Sequence, residues 1–119
     1  MLVVDDDPEI LSTLLAILRA SHFEPAGAST GRNALALLRE QEFDVLLLDV
    51  VMPDVDGLEV LRAVRGKKPG LKIIAMSAGG SIQGMDYLRL ARDLGADQTL
   101  KKPFPAAALL ETLRELGPA

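Results

Sequence analysis

Apolar residues in this chain fall into short unbroken runs, separated by longer stretches in which they recur every three or four positions. That alternation restricts the fold more than any other feature. Leu2-Val3-Val4, Val45 to Leu48 and Ile73 to Met76 are short and apolar on both faces, as buried strands of a parallel sheet are. Behind Pro8, a residue suited to a first helical turn, Ile10, Leu11, Leu14, Leu15 and Leu18 have helical spacing. Ala34, Leu35, Leu37 and Leu38 form a second helix that ends near Gln41. Leu58, Val60, Leu61 and Val64 form a third, followed by a Gly66–Gly70 turn. Tyr87 to Leu94 reads as a helix with Gly95 at its C-cap, Gln98 to Lys101 as a strand, and Ala106 to Leu116 as the last helix. Phe23 to Ser29 contains Pro25, which removes a ladder donor and so confines that strand to an edge. Strands alternating with helices predict an α/β fold: a (βα)5 doubly wound parallel five-stranded sheet with right-handed crossovers.

Four of the runs stop at a chemically loaded residue: Asp5-Asp6-Asp7, Asp49, Ser77 and Lys101-Lys102. Ligands of open α/β sheets bind beyond the carboxyl ends of the strands, so these residues converge where chemistry is expected. A length of 119 residues and 49% hydrophobic content suit one domain spanning residues 1–119 with one substantial core. Aromatics are only 3%, so that core must be built from Leu, Val, Ile and Ala. The absence of cysteine excludes a disulfide scaffold, a thiolate zinc site and a cysteine nucleophile. A net charge of -4 argues against a nucleic-acid footprint, which needs clustered Lys and Arg. No apolar run approaches the roughly 20 residues of a membrane span, and the N-terminus has no signal-like segment. A cytoplasmic location is expected.

Val3-Val4-Asp5-Asp6-Asp7-Pro8, Asp49 with Met52-Pro53 and Asp56-Gly57, Ser77-Ala78, Gly95-Ala96-Asp97 and Lys102-Pro103-Phe104 follow one another in the order of a known family. The chain resembles the receiver domain of two-component response regulators, chemotaxis-regulator-like, over essentially its whole length. The resemblance implies a flavodoxin-like sheet order of 2-1-3-4-5, which puts the Pro25 strand at an edge as the local reading requires.

The resemblance also implies roles. Asp49 would be the phosphoacceptor, a carboxylate nucleophile forming an aspartyl phosphate. Asp5 and Asp6 would help hold Mg²⁺ (or Mn²⁺), completed by Asp49 and the backbone carbonyl of Val51. The residue chemistry agrees, because clustered carboxylates repel one another unless a proton or cation intervenes, and hard oxygen ligands suit Mg²⁺. Lys102, which directly precedes the proline, would contact the phosphoryl group, with a cis peptide before Pro103. Strand alternation lets only one of Lys101 and Lys102 face the crevice. Ser77 would donate its hydroxyl to the phosphoryl group, whereas Asp7 is read as favouring the first helix.

The implied function is a phosphorylation-dependent switch and phosphorelay element. It would take its phosphoryl group from a sensor histidine kinase or histidine phosphotransfer protein, dephosphorylate itself, and act on a downstream target protein without being a turnover enzyme. Two alternatives stand beside it. An aspartate-nucleophile phosphatase looks for a second Asp two residues after the nucleophile, where this chain has Val51. A degenerate, phosphorylation-independent interaction module conflicts with the complete Asp, Ser and Lys set. A stand-alone receiver is the first expectation, with an excised domain of a larger regulator or hybrid kinase left open. Thr99 occupies the position where the family often carries an aromatic residue; Tyr87, the only tyrosine, is a candidate substitute, with a packing role as the alternative reading. The glycine-rich stretch 79–84 is expected to be a mobile loop ordered by phosphorylation.

Overall fold

Period-two alternation in the strands divides the core into two layers, one on each face of the sheet. The computed structural model describes residues 1–52, 57–78, 81–82 and 85–117. In chain order the elements are β1 (Leu2–Val4), α1 (Pro8–Ala20), β2 (Ala26–Ala28), α2 (Gly31–Glu40), β3 (Val45–Asp49) and α3 (Gly57–Lys67). They continue with β4 (Lys72–Ser77), the short β5 (Ser81–Ile82) and β6 (Met85–Asp86), α4 (Tyr87–Asp93), β7 (Gln98–Lys101) and α5 (Ala106–Glu115). The five-stranded parallel sheet runs β2-β1-β3-β4-β7. Counting its own strands alone, that is the expected 2-1-3-4-5 order, with β2 at an edge.

Leu2, Val4, Leu46, Leu48, Ile73 and Ala75 turn toward α2, α3 and α4, where they meet Ala34, Leu38, Val60, Leu61, Val64 and Ala91. The alternate residues Val3, Leu47, Ile74 and Met76 turn toward α1 and α5 and pack on Leu14, Leu18, Leu109 and Leu113. Leu46, Leu47 and Leu48 are all fully buried, and each such leucine contributes about 1.5–3 kcal/mol of burial. Both faces of β3 are therefore covered, which explains its unbroken apolar run.

At the starts of α1, α2 and α4, side chains satisfy backbone N–H groups that have no partner within the helix. Asp7 caps α1 by accepting from the N–H groups of Glu9 (2.9 Å) and Ile10 (3.4 Å). Thr30 accepts from Asn33 (3.1 Å) to cap α2, and Asp86 accepts from Leu88 (3.1 Å) and Arg89 (3.2 Å) to cap α4. Gly95 follows α4 with φ of 114°, a conformation that favours glycine.

One part of the sequence reading needs correction. The stretch read as a loop after Ser77 includes a small antiparallel pairing, Ser81 with Asp86 and Ile82 with Met85. Two-residue strands are too short to produce a periodicity. Gly79, Gly80, Gln83 and Gly84 lie outside the described residues, as do Pro53 and Asp56 of the family motif. Among the described residues, no helix is long and apolar enough to cross a membrane.

Candidate functional site

Parallel register brings the acidic residues together. Val4 pairs with Leu48 across β1 and β3, so one further step aligns Asp5 with Asp49. By alternation both share the α1/α5 side with Val3 and Leu47. Asp5 is fully buried and Asp49 is 5% exposed, whereas Asp6 is open to solvent. Each of these three aspartates offers a carboxylate oxygen within 4.8 Å of the others, the sole such group among the described residues. Two nearly buried carboxylates and one exposed carboxylate are a donor set that fits a hard divalent cation partly coordinated by water.

The nearby ammonium comes from the far end of the chain. Ser77 and Lys101 pair across β4 and β7, and the Lys102 N–H donates to the Ser77 carbonyl at 2.6 Å. Lys101 is exposed, while Lys102 enters the crevice. Its Nζ donates to Asp5 Oδ2 at 2.6 Å and to Asp49 Oδ2 at 3.0 Å. The Lys102–Pro103 peptide is cis. The remaining carboxylate oxygens are also occupied: Asp5 Oδ1 accepts from the Asp7 N–H and Asp49 Oδ1 from the Val51 N–H, both at 2.9 Å. Ser77 is buried at the end of β4 beside this group, and Val51 lies at the exposed mouth.

Burial raises the Asp49 pKa above the ordinary carboxylate value, against the opposing effects of the Val51 hydrogen bond and of Lys102. Burial would lower the Lys102 pKa, but hydrogen bonds and charge from Asp5 and Asp49 outweigh it and leave the ammonium more strongly protonated than usual. The crevice therefore presents carboxylate oxygens organised around a firmly held ammonium. A phosphoryl group needs both, a positioned nucleophile and neutralising charge.

Residues around the crevice behave less uniformly. Asp7 faces the α1 backbone, in keeping with its expected role in the helix. Thr99, on β7, accepts a hydrogen bond from Arg92 Nη2 of α4 at 3.1 Å, so a polar tie occupies the position where the resemblance implies an aromatic. Tyr87 is half-buried against the core layer of α2, α3 and α4. Gly57 is a close neighbour of the site that its residue type did not reveal. It starts α3 directly against the backbone of Asp49 and Val50.

Comparison with known proteins agrees with this geometry. The family described as response regulator receiver domain matches residues 1–114. A probable transcriptional regulatory protein, TcrX of Mycobacterium tuberculosis, is 34% identical over 117 residues, covering 98% of this chain and 48% of the relative. The chain thus spans about half the length of the curated relatives it matches. A CheY-like receiver domain protein from Methanospirillum hungatei superposes with a TM-score of 0.88 at 31% identity, covering 97% of this chain and 90% of that one. TrrA of Thermotoga maritima, solved in complex with Mg²⁺-BeF, gives a TM-score of 0.85 at 33% identity and covers 97% of this chain and 96% of its own.

Proposed function

Because this chain belongs to the response regulator receiver family of two-component systems, we propose that Asp49 is its phosphoacceptor and that residues 1–119 work as one phosphorylation-dependent switch. The observation that carries this reading is the convergence of Asp5, Asp49 and Lys102 at the carboxyl edge of the sheet, with Lys102 Nζ bonded to both carboxylates.

An Asp49 carboxylate oxygen attacks the phosphorus of a phosphohistidine on a donor protein. The new P–O bond forms as the P–N bond breaks, and the imidazole leaves with its electron pair and takes up a proton. Lys102 stays within reach of the transferred group and offsets its charge. Ser77 donates its hydroxyl to a phosphoryl oxygen once Asp49 is modified. Water later attacks the phosphorus, releasing inorganic phosphate and restoring the carboxylate.

Asp5, Asp6, Asp49 and the Val51 carbonyl are the residues that would hold Mg²⁺ or Mn²⁺. When bound, the cation neutralises charge on the transferring phosphoryl oxygens. The clustered carboxylates of Asp5, Asp6 and Asp49 support this assignment, and TrrA is a relative described with Mg²⁺ in its complex. The donor is a sensor histidine kinase or histidine phosphotransfer protein, and the output is contact with a target protein. Direct nucleic-acid binding by this domain is disfavoured by its net charge of -4. On this reading the protein works in the cytoplasm and modifies itself without turning over a separate substrate.

Transfer of label from a phosphohistidine-bearing phosphotransfer domain tests the proposal. Mg²⁺-dependent movement of label onto this chain, with no steady hydrolysis of a phosphate monoester, is expected. Sustained monoester turnover would instead favour the phosphatase reading.

A further inference from the structure

We infer that Gly57 is a positioning residue for the acceptor: its missing side chain lets the first turn of α3 rest directly on the Asp49–Val50 backbone and so sets where the Asp49 carboxylate stands. This deepens the reading of Asp49 as phosphoacceptor and rests on it. A Cβ placed at Gly57 would overlap the Asp49 carbonyl oxygen and Val50 Cα, and would stand 2.9 Å from the Val50 carbonyl carbon. All three atoms are backbone, so no change of rotamer relieves the overlap. Among the described residues the positive φ angles belong to His22, Gly95 and Gly117, so Gly57 does not adopt one. Glycine is therefore needed here for space and not for conformation. Gly66, in the same helix, has nothing within 4 Å of the equivalent position.

The Asp49–Val51 backbone that Gly57 meets has little slack. The Val50 N–H donates to the Met76 carbonyl at 3.0 Å, and the Val51 N–H donates to Asp49 Oδ1 at 2.9 Å. Lys102 holds the other oxygen at 3.0 Å. On the opposite side, Val60 and Leu61 of α3 are fully buried in the same core layer as Val50 and Met52, which resists outward movement of the helix. Restoring ordinary contact requires the two backbones to part by about 1 Å, a misplacement that costs about 100-fold when it reaches a reacting group.

The experiment compares Gly57→Ala with Gly66→Ala, the same change at an open position of the same helix, and with Val64→Ala. Val64 is buried in α3, so its truncation loosens the helix without pressing on Asp49. Three readouts are taken at a temperature where the folded variants are fully folded. They are the rate of Mg²⁺-dependent adduct formation with acetyl phosphate by intact mass, the thermal midpoint, and the Val50 and Val51 amide shifts in metal-free protein. Gly57→Ala is expected to fold, to move both amide signals and to form adduct about 100-fold more slowly, while the two control variants react at the wild-type rate. Wild-type reactivity and unmoved amides in Gly57→Ala would overturn the inference. So would a Gly57→Ala protein that fails to fold beside a folded Val64→Ala, because the contact would then serve folding alone. A wild-type protein that takes no adduct would overturn the acceptor reading itself, a result separate from any difference among the variants.

Discussion

Replacing Lys102 by Met keeps most of the side-chain stem and removes the charge, which isolates what the ammonium contributes. In the native crevice Nζ lies 2.6 Å from Asp5 Oδ2 and 3.0 Å from Asp49 Oδ2, with the Lys102 side chain 13% exposed and those of Asp5 and Asp49 at 0% and 7%. Without it, carboxylates with oxygens within 4.8 Å of each other repel by about 3.5 kcal/mol at an effective dielectric near 20. Breaking one side of a buried ion pair typically costs about 3–5 kcal/mol. A loss of about 3 kcal/mol at neutral pH in chelator is therefore expected, or a fall in thermal midpoint of about 12 °C for a domain of this size.

The deficit must also depend on pH with a definite sign. Burial already raises the Asp49 pKa from its ordinary 3.8, and loss of Lys102 removes effects that hold it down. The folded state then binds a proton more tightly than the unfolded chain. Stability is fully present below the ordinary value and is lost as the pH rises through the raised folded value. Denaturant unfolding followed by circular dichroism in chelator, at neutral pH and in mild acid, measures both effects. Mg²⁺ should stabilise the variant more than the wild type, because cation then replaces ammonium. A deficit below about 1 kcal/mol, or one equal at both pH values, would refute the electrostatic account of the crevice.

Other consequences are local. Arg65 donates to the carbonyls of Gly95 (3.1 Å), Pro69 (3.0 Å) and Leu71 (2.8 Å) and to Asp97 Oδ2 (2.9 Å). Arg65→Ala should lower stability by about 2 kcal/mol in denaturant titration, yet leave acetyl phosphate reactivity unchanged, since this clamp lies at the edge of the sheet opposite Asp49. Asp7→Ala removes the α1 cap and should cost about 1 kcal/mol, with Mg²⁺ affinity by calorimetry preserved because Asp5 accepts from the Asp7 backbone. Asp49→Asn should raise the thermal midpoint of metal-free protein at neutral pH, since it removes a carboxylate whose ionisation burial opposes.

The large features were legible because each left a local trace. The place of Lys102 directly before Pro103 set it apart from Lys101, and Pro25 pointed to an edge, where β2 lies. The apolar runs ending at Asp5, Asp49 and Ser77 pointed to the carboxyl edge of the sheet, where those residues lie. What stayed hidden depends on contacts between residues distant in sequence. Arg65 reads as an ordinary last-turn cation, and only the fold brings it to Gly95 and Asp97. Gly57 stands in the sequence only as part of the Asp56-Gly57 motif, and its close contact with the Asp49–Val50 backbone emerges only when α3 packs on β3. The β5–β6 pairing is too short to give a pattern, and the tie between Arg92 and Thr99 joins α4 to β7 through side chains whose types do not predict it.

The central claim is that Asp49 takes a phosphoryl group in a crevice organised by Asp5, Asp6 and Lys102. Intact mass after incubation with acetyl phosphate, with and without Mg²⁺ and beside Asp49→Asn, tests it most directly. The account predicts one phosphoryl adduct that requires Mg²⁺ and vanishes in the variant. An unmodified wild-type mass under conditions where Mg²⁺ binding is demonstrated, or an adduct that survives Asp49→Asn, would contradict it.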